Sequence, residues 1–558
     1  MKIAALVCAA VLSACIAPPR APLPDTLIFN GTIYLGEPRW TRVDALLVAD
    51  GRVVAAGTLA ELAPDLAHVS RRIDLRGGFA VPGLQDAHGH LQGFGEALEI
   101  VDLRGAASFE EVVARVVERA RSAPRGAWVR GRGWDQNLWP SRDFPTHAAL
   151  SAALPEHPVV LERVDGHACV ANLAAMQLAG VARAFSSEFE IPGGRVLLDA
   201  ERRPSGVFVD AATAVFDAAL PPLDEATRER RVLAAQDALL ALGLTAVHDM
   251  GISAGSAELL RRLRDTGRLR IRLIEYLQGS AQLADDDVAG FPWPPDALDR
   301  LSVVGVKFYA DGALGSRGAV LLEPYSDDPS QLGLALMSRE ELEHGFAVCA
   351  RHGLQPAVHA IGDGANRTVL DALEARIRAT PEFAALRPRI EHAQVVAPDD
   401  WARFEELGVI ASMQPTHATS DMPWAPRRLG PERISGAYAW RRLASRAEHL
   451  ALGSDFPVES PSPLEGLYAA ITCSARDGQP PQGFLPDQRL SAREALAGFT
   501  WGAARAARQE QRRGALWPGY AADLTVLDVD PLACAPAALL TARVLSTIID
   551  GELIYSAP

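Results

Sequence analysis

Two histidines separated by a single residue, His88 and His90, close an apolar run that begins at Gly78. The run predicts a short strand, and residues i and i+2 of a strand point to the same side. The two imidazoles should therefore aim at one point. An isolated pair of this kind is more often structural than functional, but a pair at the end of a strand predicts the first half of a metal site.

Further candidate ligands follow far downstream, each at or near the end of an apolar, strand-like run. They are Lys307, His359, His392 and Asp455. Nitrogen and oxygen donors of this mixture suit zinc or a similar divalent ion. A centre assembled from the ends of many strands predicts a barrel, because the active sites of (β/α)8 barrels lie at the carboxyl ends of their strands.

Strand-like and helix-like segments alternate through the middle of the chain, which predicts parallel βαβ units. The candidate barrel strands are Ala80–Asp86, Val159–Arg163, Thr245–Asp249, Val303–Tyr309, Gln355–Ala360, Pro388–His392, Val409–Gln414 and Leu450–Asp455. Eight strands close a (β/α)8 barrel. We therefore predict the α/β class, with a TIM barrel over residues 83–508.

Hairpin patterns mark both ends of the chain. Asn-Gly and Asp-Gly turns lie within Thr26–Tyr34 and Asp44–Gly57, and a further Asp-Gly turn lies within Val544–Tyr555. Two β-rich ends around an α/β middle predict one small β-sandwich domain built from residues 21–82 and 509–558. The length of 558 residues agrees with a second domain, because it exceeds the size at which single cores stop growing.

Residues 1–20 have the pattern of a lipoprotein signal peptide. Lys2 precedes the apolar stretch Ile3–Val11, which is too short to span a bilayer. The Leu-Ser-Ala-Cys that follows resembles the bacterial lipobox, in which Cys15 carries the lipid, and Ile16 favours an outer-membrane anchor facing the periplasm. A plain signal peptide or a misassigned start are the alternatives. We expect membrane attachment through this anchor only.

The net charge and the spacing of the cysteines limit which binding partners are expected. The net charge of −14 offers no basic face for nucleic acid, so we expect none. The cysteines beyond the signal region are scattered without Cys-x-x-Cys spacing, which predicts neither a zinc knuckle nor a disulfide framework. A small molecule is the expected substrate.

The ordered motifs of the chain resemble those of the amidohydrolase superfamily, in particular family 3, the branch that includes N-substituted formamide deformylases. The resemblance begins at about Thr26 and reaches the C-terminus. Besides the candidate ligands, it includes Gly133-Trp-Asp-Gln136, Pro145-Thr146, Arg163-Val-Asp-Gly-His167 with Asn172, and Gly206-Val-Phe-Val-Asp210. Relatives in this family often form dimers, which implies a homodimer.

The resemblance implies one or two divalent ions, with zinc the expected metal. His88 and His90 would hold the first ion together with Asp455. His359 and His392 would hold the second. Lys307 would bridge the two after carbamylation by CO₂, because a carbamate is an anionic oxygen donor whereas an ammonium group repels cations. Asp455 would also take the proton of the attacking water and pass it to the leaving amine.

Candidate substrate contacts lie in the loops: His167, Trp134, Asp135 and Arg317. Trp134 and Asp135 could cover the pocket or form the core of a loop. Arg317 could bind substrate or order the loop that follows Lys307. The role of His417, three residues beyond the seventh predicted strand, is left open.

We predict an exported, metal-dependent hydrolase that cleaves a carbon–nitrogen bond of an N-acyl, N-formyl or cyclic amide. A deaminase, or an esterase or lactonase, would use the same site and stays open. A binding lipoprotein without turnover is a further alternative, which replacement of Asp455 would test. A glycosidase with paired carboxylates would leave the histidines unexplained.

Overall fold

The computed structural model describes residues 23–136, 139–141, 143–163, 168–182, 194–221, 223–295, 299–443 and 450–558. The predicted signal peptide with Cys15, and the candidate substrate residue His167, lie outside these ranges. Within them, no helix combines the length and apolar character that crossing a membrane requires.

The strands are, in chain order, β1 (Thr26–Tyr34), β2 (Arg42–Ala49), β3 (Arg52–Gly57), β4 (Arg71–Asp74), β5 (Phe79–Pro82), β6 (Leu84–Gly89), β7 (Val101–Asp102), β8 (Val129–Trp134), β9 (Val159–Arg163), β10 (Ala168–Ala171), β11 (Gly194–Leu198), β12 (Pro204–Asp210), β13 (Leu244–Ile252), β14 (Arg272–Gln278), β15 (Leu301–Tyr309), β16 (Gln355–Ala360), β17 (Arg389–His392), β18 (Ile410–Met413), β19 (Leu450–Leu452), β20 (Leu524–Leu527), β21 (Val544–Ile549) and β22 (Glu552–Ser556).

The helices are α1 (Leu59–Leu62), α2 (Leu91–Ala97), α3 (Phe109–Ala120), α4 (Ala148–Ala153), α5 (Leu173–Leu178), α6 (Glu225–Ala241), α7 (Ala254–Asp265), α8 (Arg339–His352), α9 (Asp363–Ala379), α10 (Trp401–Glu406), α11 (Pro415–Asp421), α12 (Ala425–Arg433), α13 (Trp440–Leu443), α14 (Pro463–Thr472), α15 (Ala492–Ala497), α16 (Ala503–Ala506) and α17 (Pro536–Leu539). Local sequence sets several ends: Ser338 and Glu341 form a capping box at the start of α8, and Gly353 ends it with φ 69°.

A nearly closed barrel of parallel strands, in the order β6-β13-β14-β15-β16-β17-β18-β19, lies at the centre of the described chain. Backbone bonds span the remaining gap: Asp455 donates to His88 at 2.7 Å, and His90 donates to Phe456 at 2.8 Å. Helices α7, α8, α9 and α10 connect successive strands. The predicted α/β class and TIM barrel are confirmed.

One predicted barrel strand is wrong and another was missed. Val159–Arg163 is β9, which lies in a separate sheet, so the second barrel strand is β13. The missed strand is β14, in which the charged Arg272 and Glu275 interrupt the apolar pattern although both side chains are buried. The barrel still has eight strands, because one strand was wrongly included and another was missed. The fourth to eighth barrel strands, β15 to β19, are therefore the ones predicted.

The separate sheet, in the order β11-β12-β10-β9-β8-β7, belongs to an insert between β6 and β13. Two apolar clusters, one containing Trp134 and Val159 and the other Cys169 and Phe208, form the core of this insert. The insert therefore has its own core beside that of the barrel.

Strands from both chain ends share one sheet, in the order β22-β21-β20-β5-β1-β2-β3, with β4 paired to β1. Buried Arg272, at the start of β14, donates to both oxygens of Asp523 at 2.8 Å, which fixes this sheet to the barrel. The two ends of the chain thus contribute strands to one sheet, as predicted. A separate sandwich domain is not confirmed, and the predicted domain limits stay predictions.

Candidate metal centre

The carboxyl ends of the barrel strands bring the predicted ligands together around Asp455. Its Oδ1 atom lies 3.1 Å from Nε2 of His90 and 3.6 Å from Nε2 of His88. The ring of His392 lies 4.8 Å from that of His88 and 4.6 Å from that of His359, measured between centroids. Side chains separated by almost four hundred positions in the sequence thus form one cluster.

Hydrogen bonds to Nδ1 fix the orientation of three of these rings. Nδ1 of His88 contacts Oε2 of Glu391 at 2.7 Å, and Nδ1 of His90 contacts the carbonyl oxygen of Met250 at 2.9 Å. Nδ1 of His392 contacts Oε1 of Gln414 at 2.9 Å. Carboxylate, carbonyl and amide oxygens only accept, so each Nδ1 carries a proton. Nε2 of His88 and of His392 therefore keeps a lone pair, whereas Nε2 of His90 faces Oδ1 of Asp455 at 3.1 Å.

These lone pairs are what a divalent cation requires. Among the described residues, Nε2 of His88 and of His359 is buried without a hydrogen-bond partner. A buried nitrogen without a partner is costly in a folded protein, and ligation of a cation would satisfy it. The ligand atoms of His88, His90 and Asp455 lie within 4.8 Å of one another, so this set fits a metal ion.

Burial and charge set the protonation of the cluster to suit ligation. Burial, together with the charge of Lys307, lowers the pKa of His88 to about 4 and that of His359 to about 3. Burial alone would raise the pKa of Asp455, but the hydrogen bond to His90 and the charges of the histidines hold it well below its usual value. Burial lowers the pKa of His90, but the hydrogen bond and charge of Asp455 raise it overall. At neutral pH the site therefore offers neutral imidazoles at His88 and His359 and an ionised carboxylate at Asp455.

Lys307 lies in β15 with its side chain almost completely buried. Its Nζ is 4.9 Å from the centre of the Tyr309 ring. Burial lowers the pKa of Lys307 to about 8, because an ammonium group loses its water there. The chain thus holds an easily deprotonated amine next to the clustered histidines.

A buried polar network supports the Glu391 carboxylate that orients His88. Arg389 donates to both Glu391 oxygens, at 2.8 and 3.0 Å. The same guanidinium donates to Nδ1 of His248, to the Tyr276 hydroxyl, to Ser412 and to the carbonyl oxygen of Ala87. Every member is buried inside the barrel, so the partners of Arg389 hold its charge in one geometry.

A second carboxylate joins the first barrel strand to the last. Asp86 in β6 accepts hydrogen bonds from the Ser454 hydroxyl at 2.6 Å and from the Ser454 amide at 3.1 Å. Gly453 allows this approach, because a Cβ there would lie 2.5 Å from Oδ1 of Asp86. Asp455 follows with φ 60°, a left-handed conformation that is costly for aspartate. These hydrogen bonds between Asp86 and Ser454, called here the Asp86–Ser454 clamp, hold Asp455 in an orientation that faces His88 and His90.

Two of the predicted substrate residues belong to the insert. Trp134 is fully buried in the core of the insert and donates to the carbonyl oxygen of Leu161 at 2.7 Å, which is the loop-core alternative of the two predicted for it. Asp135 accepts from Arg163 at 3.0 Å. Arg317 pairs with Asp327 at 3.1 Å and so orders the loop after Lys307. A substrate contact for Asp135 and Arg317 stays a prediction.

The residue that sequence reasoning left open is His417. Its Nε2 lies 3.6 Å from Oδ2 of Asp455, and its ring stacks on His392 with 5.9 Å between centroids. The available signal was its position, three residues after Gln414 at the carboxyl end of a barrel strand. It lies on α11 rather than on the strand itself, so strand alternation could not predict its direction.

Known proteins resemble this chain in fold and in sequence. A family model described as "Amidohydrolase family" matches residues 71–555. The crystal structure of an uncharacterized metal-dependent hydrolase from Pyrococcus horikoshii OT3 aligns with a TM-score of 0.77 and 31% identity, covering 92% of this chain and 99% of the other. The protein LONG AFTER FAR-RED 3 of Arabidopsis thaliana is 31% identical, covering 96% and 93% of the two chains. N-substituted formamide deformylase of Arthrobacter pascens is 28% identical, covering 95% and 98%.

The barrel and its histidine–carboxylate cluster define a metal-dependent hydrolase. The chain belongs to the amidohydrolase family, as its motifs indicated.

Replacement of Glu391 by Gln should weaken metal binding. The amide keeps the volume but lacks the negative charge that holds the Nδ1 proton of His88 and opposes Arg389, so we expect a loss of about 10–100-fold in zinc affinity. Competition with a chromophoric chelator measures it, and circular dichroism checks the fold. Glu340→Gln, on the exposed start of α8, is the matched control. An unchanged affinity in a folded Glu391→Gln protein would contradict the role of the network.

Proposed function

We propose that this protein hydrolyses an amide, N-formyl or N-acyl bond of a small molecule with the help of one or two divalent ions, most simply zinc. The observation that carries the proposal is the convergence of histidine Nε2 atoms on the ionised Asp455. The relative named N-substituted formamide deformylase supports the type of bond, since the two chains align over nearly their full lengths.

His88, His90 and Asp455 would hold the first ion, and His359 and His392 are the expected ligands of the second. A bound ion supplies Lewis acidity, which polarises a carbonyl group and lowers the pKa of a water molecule. Asp455 is suited to the proton transfer, because its carboxylate is ionised. It accepts the proton of the attacking water and returns it to the departing amine.

A cavity lies between α2 and the segment that follows Asp455. Gly93 and Pro457 line it, and a Cβ on Gly93 would lie 3.7 Å from Cβ of His90. Its volume is about 380 Å³ and its walls combine apolar side chains such as Ile100 with the ion pair of Arg130 and Glu96. Clefts of this size bind small molecules rather than protein segments. We propose that it receives the part of the substrate away from the bond that is cleaved.

Carbamylation of Lys307 is part of the proposal. The family resemblance implies it, and burial lowers the pKa of Lys307 to about 8, which favours the neutral amine that reacts with CO₂. Lys307→Ala should lose the second metal equivalent, and a small carboxylate added at high concentration should restore part of it. Carbon-13 NMR of protein prepared in labelled bicarbonate should show a carbamate signal. A fully metallated protein without that signal would exclude the modification.

Hydrolysis itself is tested by a screen of N-formyl and N-acyl amines. We expect amine release by the zinc-loaded protein, its loss after treatment with a chelator, and its return with added zinc. Asp455→Asn should lower the rate by about 10²–10⁴-fold, since the amide cannot accept the proton. Asp286→Asn, on an exposed turn, is the control. Equal rates in the Asp455 variant and the wild type would contradict the assigned role.

We further propose that the mature protein is a lipoprotein anchored in the outer membrane and facing the periplasm. The basic start, the short apolar stretch and the Leu-Ser-Ala-Cys motif that ends at Cys15 support this. Cys15→Ser should move the protein from the membrane fraction to the soluble fraction, as measured by fractionation and immunoblotting. A wild-type protein that is itself found in the soluble fraction would contradict the anchor.

A further inference from the structure

His417 lies at the edge of the site in a position that a ligand would occupy. It belongs to α11, which begins directly after Gln414, the residue that orients His392. Its side chain is 12% exposed. Within the described part of the chain, its Nε2 atom is buried and has no hydrogen-bond partner. A buried nitrogen aimed at a carboxylate without bonding it is the pattern already seen at His88.

The two oxygens of Asp455 face different histidines. Oδ1 lies toward His88 and His90, whereas Oδ2 lies 3.6 Å from Nε2 of His417. The ligand atoms of His392, His417 and Asp455 all lie within 4.8 Å of one another, as do those of His88, His90 and Asp455. The carboxylate thus belongs to two three-residue sets, with one oxygen directed to each.

We propose that His417 is a metal ligand, and that His392, His417 and Asp455 form a second cation site beside that of His88, His90 and Asp455. The proposal rests on the proposed function, since it concerns the second ion of the same centre. Three protein ligands of imidazole and carboxylate type suit zinc or cobalt and leave a position for water or substrate.

The position of His359 bears on which residues complete the second cation site. His359 is the expected partner of His392, yet its Nε2 lies 3.5 Å from Oδ1 of Asp311. Three backbone amides, of Val320, Ile361 and Gly362, donate to Asp311 and hold it in place. In the described residues, the sets whose ligand atoms lie within 4.8 Å of one another include His417 but not His359. His417 is therefore placed to complete the second site whether or not His359 also binds.

Cobalt(II) titration of the full-length protein tests the proposal without relying on activity. Metal content after dialysis is measured by elemental analysis, and visible absorption reports the ligand geometry. We expect about two equivalents in the wild type and loss of the second on dialysis of His417→Ala, because that ion loses one of its imidazole ligands. His352→Ala, in α8, removes a histidine outside the cluster and should leave both equivalents.

His417→Cys distinguishes ligation from a structural effect. A thiolate can replace imidazole as a ligand, so this variant should recover the second equivalent and gain a thiolate-to-cobalt charge-transfer band in the near ultraviolet. The described cysteines outside the site are mostly buried, which keeps the background low. Circular dichroism of the metal-free variants checks that each is folded.

The outcomes separate the two proposals. Two cobalt equivalents with an unchanged spectrum in His417→Ala would overturn the ligand role and leave the hydrolase assignment intact. A loss in His417→Ala without a charge-transfer band in His417→Cys would also overturn it. A wild-type chain that takes up no cobalt would overturn the proposed function and this inference together.

Discussion

The hydrogen bonds to Nδ1 of the clustered histidines are the interactions on which the rest of the site depends. An imidazole binds a cation with one nitrogen only if the other holds the proton. Glu391, the carbonyl oxygen of Met250 and Gln414 each take that role for a different ring. The acceptors come from three barrel segments, so the barrel has to form before the Nε2 atoms can converge on Asp455.

Glu391, the charged acceptor among these three, is itself held in place by a buried arginine. Glu391 is completely buried, and Arg389 holds the pKa of its carboxyl well below the usual value despite that burial. Removing one partner of a buried charge pair typically costs about 3–5 kcal/mol, because the remaining charge has no water to replace it. The interior of the barrel is therefore a connected polar network that ends at His88, a candidate metal ligand. Stability and function share the same residues here.

Unusual backbone conformations turn two of the candidate ligands into the site. His392 and Asp455 have φ values of 73° and 60°, conformations that a β-carbon disfavours by about 1–3 kcal/mol each. His392 ends β17, Asp455 follows β19, and both turn their side chains into the cluster. The Asp86–Ser454 clamp and the backbone bonds between His88 and Asp455 hold that turn. The strain thus lies where ligands must leave the direction of their strands.

Much of this arrangement could be predicted from the sequence, and the failures have physical causes. The ligands at strand ends were found because apolar runs and strand alternation fix their direction. β14 was missed because Arg272 and Glu275 resemble surface residues, although both are buried: Arg272 pairs with Asp523, and burial and the neighbouring Asp249 raise the pKa of Glu275. Val159–Arg163 was misplaced because an apolar run does not reveal which sheet it joins. His417 stayed undecided because a short helix, not a strand, sets its direction.

Anomalous diffraction at the zinc edge from crystals grown with zinc tests the account most directly. We predict a peak about 2.0–2.2 Å from Nε2 of His88, Nε2 of His90 and an oxygen of Asp455, with the three Nδ1 hydrogen bonds intact. Absence of a peak at the cluster in zinc-saturated crystals, or a metal bound through Nδ1 with those hydrogen bonds broken, would contradict the account.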